Sequence, residues 1–199
     1  MSNSRFSTRY IAVTAMLSAI AFILQFFEFP IPLIPSFVKL DFSELPALIA
    51  SFAMGPLSGV IVCLIKNLLH LTTTTSGGIG ELCNFLLGAA FVLPAGLIYK
   101  HQKNKKNAII GSLVGALTMA LFSFPSNYFL TYPFYQAAFF GGSVDPIIGA
   151  YQAILPSVTE LWQCLLIFNL PFTFFKAMCS VIITLLIYKK ISPLLHGKK

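Results

Sequence analysis

Apolar runs of about membrane-crossing length recur along this chain, at roughly 10–27, 81–99, 108–130 and 160–188, and no other feature narrows the fold so far. A hydrocarbon core of about 30 Å asks for about 20 apolar residues per helix. The 199 residues therefore have room for around six spans and none for a soluble domain. Composition agrees: 57% of the residues are hydrophobic and 10% charged, where soluble domains carry roughly 25% charged residues. The expected class is an all-α integral membrane protein, with 1–199 forming a single membrane domain.

The first apolar run follows Arg5 and Arg9, as a secretory signal would, but its Ala19-Ile20-Ala21 triplet lies inside the run and not after it. The segment is read as a retained span. Cys63, Cys83, Cys164 and Cys179 stand in apolar surroundings without Cys-x-x-Cys spacing, so no metal site or disulfide framework is expected. The formal charge of +7 comes from lysines and arginines that flank apolar runs. They suit anionic membrane lipids and not nucleic acid.

The stretch from Phe42 to Leu71 decides the topology. Read as one kinked helix it gives five spans; broken at Gly55-Pro56 it gives two short ones, 42–54 and 56–71. Basic clusters sit at Arg5 and Arg9, at Lys100, Lys103, Lys105 and Lys106, and at Lys189, Lys190, Lys198 and Lys199. Only six spans put all three on the cytoplasmic side, which places both termini there. The opposite face then carries 28–41, 72–80 and a long loop over 131–159, and loops of that last size are often binding elements. Spans two and three are short, as Gly/Pro-interrupted segments near transporter sites often are; local bilayer thinning explains them equally well.

Charged groups at bilayer depth are costly and must face protein, water or ligand. Lys66, Asn67 and His70 share one helical face, as do Glu81, Asn84 and Gly88, and Asn169, Thr173 and Lys176. Asn127 and Tyr128 sit together near the end of the fifth span. Two readings stand side by side: these groups satisfy one another, with Glu81 neutralising Lys66 and His70 a structural histidine, or they line a ligand pocket. For Lys176 the ligand reading is preferred, because the last span holds no carboxylate after Glu160. Tyr128, Tyr132 and Tyr135, with Phe172, Phe174 and Phe175, are the aromatics placed to sandwich a flat ring.

No phosphate loop, zinc-protease motif or nucleophile elbow occurs, so no catalytic residue is expected and the chain does not hydrolyse ATP by the phosphate-loop route. Ala12, Ala15 and Ala19 form a small-residue strip on the first span, suited to close approach of a partner helix. Gly111 and Gly115 offer a second strip.

The strings FPIPLIPSFVKLDFSELPALI (29–49), IKNLLH (65–70), GGIGELCNFLLG (77–88), LPAGLIY (93–99), SNYFLTYPFY (126–135) and PFTFFKA (171–177) together resemble the riboflavin-specific S components of energy-coupling factor transporters. The resemblance covers nearly the whole chain. It implies the six-helix S-component fold in the bacterial plasma membrane, with no resident cofactor. Riboflavin, with its phosphate FMN left open, is the implied transported ligand. A transmembrane coupling subunit and two cytoplasmic ATPases are the implied partners. The strip from Ala15 to Ala19 would contact the coupling subunit. A flavin's polar edge needs donors for two carbonyl oxygens and an acceptor for one N–H. Lys176 and Asn127 are expected there, with Asp41, Glu81 and Asn84 accepting from ribityl hydroxyls. Residues Phe37 to Leu40 would close over the ligand, and Lys39 is the candidate for receiving an anion. Similar proteins often read Pro-Phe-Asn in the last span where this chain has Pro171-Phe172-Thr173, its asparagine lying one turn earlier at Asn169. Contacts at Asn169 and Thr173 stay open for that reason. The alternatives are an S component for another vitamin or flavin analogue, and a self-sufficient carrier driven by a proton gradient through Glu81, Lys66 or His70. A membrane enzyme ranks below both.

Overall fold

A computed structural model describes residues 8–196, with side chains through Tyr188. Arg5, Lys198 and Lys199, and the side chains of Lys189 and Lys190, lie outside the described residues. Helix α1 (Thr8–Phe26) leads into a two-residue strand pair, β1 (Phe29–Pro30) and β2 (Lys39–Leu40), with Phe29 opposite Leu40 and Pro30 opposite Lys39. Then follow α2 (Glu44–Met54), α3 (Pro56–His70), α4 (Ile79–His101) and α5 (Lys105–Ser126). Helix α5 passes through a π turn, Asn127–Thr131, into α6 (Tyr132–Phe139). Helix α7 (Asp145–Gln152) is a separate short helix, and α8 (Leu161–Cys164) joins α9 (Leu170–His196) through a second π turn, Leu165–Asn169.

Among the described residues five helical stretches are long and apolar enough to cross a membrane: Thr8–Phe26, Pro56–Thr73, Ile79–His101, Lys105–Phe139 and Leu161–Tyr188. The third expected span is longer than anticipated, because a tight 3-10 turn carries it on to Thr73. The fifth runs on to Phe139, not to about 130, so the region expected as one long loop over 131–159 holds helices α6 and α7.

Helix α2 is the exception in length and the key to the packing. Its 11 residues span about 16 Å at 1.5 Å per residue. Every residue from Glu44 to Ala53 is buried. It is apolar all round because it has neighbours all round, which marks a core helix. Gly55 ends it at φ +108°, a backbone state L side chains rarely adopt, and Pro56 opens α3 at the position where its missing N–H costs nothing. Leu48, Phe52, Val62, Phe91, Val92 and Met119 form the centre of the core around it.

Close approach sets the α4–α5 contact. A Cβ on Gly111 would lie 2.7 Å from the Ala95 carbonyl oxygen, and one on Gly115 would lie 2.4 Å from that of Phe91. The Gly111/Gly115 strip is therefore used inside the bundle, which corrects its reading as a partner surface. Ala12, Ala15 and Ala19, by contrast, are all exposed on α1.

Candidate functional site

At the end of the bundle where 28–41, 72–80 and 139–147 converge, a cavity of about 400 Å³ opens between α1, α3, α4, α5, α6 and α9. This lies within the range of roughly 300–1,000 Å³ usual for small-molecule pockets. Of the residues expected at a site, Lys39, Asp41, Glu81, Asn84, Asn127, Asn169, Thr173 and Lys176 line it. Leu40 does not: it is buried, paired to Phe29 through β2. Tyr128 does not either, since its ring stacks on Phe124 at 5.8 Å and 8°. Phe172, Tyr132 and Tyr135 face the cavity, whereas Phe174 and Phe175 are exposed on the outer surface of α9.

The floor is a buried charge network. Lys66 on α3 donates to Ser43 Oγ and to Glu44 Oε1, the latter at 2.9 Å, with both charged side chains 0% exposed. Lys176 on α9 donates to Asp41 Oδ2 at 2.7 Å and lies 3.5 Å from Glu44 Oε2. Asp41 Oδ1 accepts from the Ser43 backbone N–H at 2.8 Å. Two lysines thus neutralise two carboxylates. Burial works to raise the Asp41 pKa, but Lys176 and Lys66 beside it, with the hydrogen bonds from Lys176 and Ser43, hold the carboxyl well below the usual range. Glu44, at the first turn of α2, also meets the positive end of that helix. The expectation that Lys66 pairs with Glu81 is corrected: its partner is Glu44, and Lys176 finds its carboxylates on the loop before α2 and on α2 itself, not on its own span.

Glu81, at the first turn of α4, organises the 71–80 turn instead. Its Oε1 is 2.9 Å from His70 Nδ1, and its Oε2 accepts from Thr74 Oγ1 at 2.9 Å and Ser76 Oγ at 3.0 Å. His70 is thereby satisfied within the protein. On α1, Gln25 lines the cavity and donates to Asn67 Oδ1 at 3.2 Å.

A third cluster joins α6, α7 and the second π turn. The Tyr132 and Tyr151 hydroxyls lie 2.5 Å apart, Tyr151 donates to Asn169 Oδ1 at 2.6 Å, and Asn169 Nδ2 donates to the Tyr132 hydroxyl at 3.0 Å. Burial drives the Tyr151 phenol far above its ordinary pKa, so it remains a donor. Phe37 from the 28–41 loop packs edge-on against Tyr151 and Tyr132, with centroids 5.8 and 6.3 Å away. Asn169 is thus engaged by protein groups at both ends of its amide, and Thr173 Oγ1 donates to the Asn169 carbonyl at 2.7 Å. Asn127 Nδ2 donates to Ser123 O at 2.8 Å. Asn84 differs from these: its buried Oδ1 has no hydrogen-bond partner among the described residues.

Both π turns carry a pocket asparagine, Asn127 opening the first and Asn169 closing the second. The wider turn rotates side chains relative to an ideal helix, and such insertions frequently mark functional sites. Glu44, Gln25 and Tyr151 were not anticipated from sequence. Ile147 and Tyr151, four apart behind Asp145-Pro146 and both buried, are the helical signal that would have found α7.

The sequence model for the family described as "ECF transporter, substrate-specific component" matches residues 9–188. Riboflavin transporter RibU of Staphylococcus aureus is 35% identical over 193 residues, covering 97% of this chain and 95% of that protein. Riboflavin transporter FmnP of Bacillus subtilis is 30% identical, covering 95% of each. The solved structure described as "Structure and mechanism of the S component of a bacterial ECF transporter" superposes with a TM-score of 0.72 at 33% identity, over 96% of this chain and 98% of that one.

Proposed function

The chain belongs to the substrate-specific component family of ECF transporters, and from that premise we propose that it captures riboflavin and mediates its uptake with an ATP-driven coupling module. The family is one of transport components and not of enzymes. In this reading the protein is a multi-pass protein of the bacterial cell membrane with six passes, α2 forming the short one, and with both termini in the cytoplasm. The loop-rich end faces outward. Its partners are a transmembrane coupling subunit, met by the exposed Ala12, Ala15 and Ala19 on α1, and two cytoplasmic ATPases. Riboflavin is cargo and no resident cofactor is invoked.

The observation that carries the ligand assignment is the buried Asn84 Oδ1, without a hydrogen-bond partner among the described residues, beside an aromatic-walled cavity of about 400 Å³ that Asn84 lines. A buried amide oxygen left without a donor costs free energy that a ligand N–H or hydroxyl recovers. A flavin has one ring N–H and four ribityl hydroxyls to offer, and a flat ring for Phe172 and Tyr135. Lys176, which lines the cavity and is held by Asp41, has a further N–H to offer a ring carbonyl. Asp41 and Glu81 remain acceptors for hydroxyls, and Val38 and Phe37 stand where a bound ligand would be covered.

Titrating the purified chain with riboflavin and following quenching of flavin fluorescence tests the assignment: one ligand per chain is expected, and absence of quenching at micromolar riboflavin refutes it. Vesicles holding the chain alone are expected to take up none. Uptake by the chain alone that disappears when a proton gradient is collapsed favours the self-sufficient carrier.

A further inference from the structure

The lysines of the cavity are each engaged by a carboxylate. Its basic side chains among the described residues are Lys39, His70 and Lys176. Each meets a carboxylate: Lys39 meets Glu28, His70 meets Glu81 at 2.9 Å, and Lys176 meets Asp41 at 2.7 Å with Glu44 at 3.5 Å. A neutral polyol entering this space finds donors and acceptors. A phosphate monoester, with a charge of about −1.5 to −2 at neutral pH, finds among the described residues no uncommitted cation and several carboxylates.

The pairs differ in how readily they release their cation. Withdrawing Lys176 would leave Asp41, whose side chain is 4% exposed, without its direct partner and Glu44 with Lys66 alone, a heavy penalty. The Lys39–Glu28 pair is 36% and 29% exposed and lies where β2 and the end of α1 meet the rim. The end of a ligand that bears a phosphate is the end most costly to dehydrate. It therefore stays nearest the mouth, beside this pair.

We propose that Glu28 is a specificity-determining residue: by engaging the Lys39 ammonium at the rim, it makes the pocket select the uncharged vitamin over its 5′-phosphate. The proposal rests on the riboflavin reading above. Glu28 acts through Lys39 and through its own negative charge, so both atoms of the pair enter the test.

The experiment measures Kd for riboflavin and for riboflavin 5′-phosphate on the purified full chain and takes the ratio of phosphate to vitamin. Glu28→Gln should lower that ratio by about tenfold, the scale of one charge-assisted hydrogen bond gained. Glu28→Asp should keep the wild-type ratio, and Glu28→Gln with Lys39→Met should restore it. If Glu28→Gln does not fold, Lys39→Glu must raise the ratio. An unchanged ratio in Glu28→Gln, or in Lys39→Glu, overturns the proposal, as does a wild-type chain that binds both ligands equally. A wild-type chain that binds neither overturns the riboflavin reading itself, and the two failures are thereby distinguished.

Discussion

The floor of the cavity and its rim use one chemistry, a lysine engaged by a carboxylate, at opposite degrees of burial. At the floor, Lys66 and Glu44 are both 0% exposed, and Lys176 and Asp41 are 10% and 4% exposed. At the rim, Lys39 and Glu28 stand at 36% and 29%. In a dry environment neither partner can return to water, so the floor holds α2, α3, α9 and the loop before α2 in one fixed arrangement. At the rim each partner keeps water as an alternative, and the pair contributes little to the fold. The same residue types thus build scaffold in one region and an adjustable edge in the other.

Breaking the floor should have the largest effect. Lys66→Met leaves Glu44 and Asp41 sharing a single lysine, and about 3–5 kcal/mol of stability should go with it, read as a fall in the thermal midpoint in detergent. If the midpoint holds, the floor is not the scaffold described here. Lys176→Met comes next and should fail twice: Asp41 loses its direct partner, and riboflavin affinity should fall by about 1.5–3 kcal/mol, the worth of a charged hydrogen bond. Unchanged affinity would make Lys176 purely structural. Asn84→Ala separates the two roles, because its Oδ1 has no protein partner to lose; affinity should weaken by about 1 kcal/mol while the thermal midpoint stays put. At the small end, Glu28→Gln should change stability by less than about 1 kcal/mol, and a larger loss would erase the contrast between rim and floor.

Much of this site could be read from spacing. Glu81 with Asn84, and Asn169 with Thr173 and Lys176, recur at three and four residues because one helical face looks into the cavity. The break at Gly55-Pro56 follows from backbone chemistry. Pairing was not legible, since Lys176 and Asp41 are 135 residues apart and nothing local distinguishes Glu44 from Glu81 as the partner of Lys66. Glu44 was hidden at the head of an apolar run, where an acidic residue reads as an ordinary helix start. The π turns are a second blind spot: sequence places Asn127 and Asn169 at the site, but an ideal 3.6-residue period does not show that each sits in a wider turn. Tyr151 is hidden because the length of 131–159 reads as a loop, although Ile147 and Tyr151, both buried, stand four residues apart on one helical face.

A structure of the chain with riboflavin bound tests the central claim most directly. The account predicts the flavin inside the cavity bounded by α4, α5 and α9, with a ligand donor within about 3.2 Å of Asn84 Oδ1 and the Lys66–Glu44 pair unmoved beneath it. A flavin bound elsewhere, with Asn84 Oδ1 still without a partner, would contradict it.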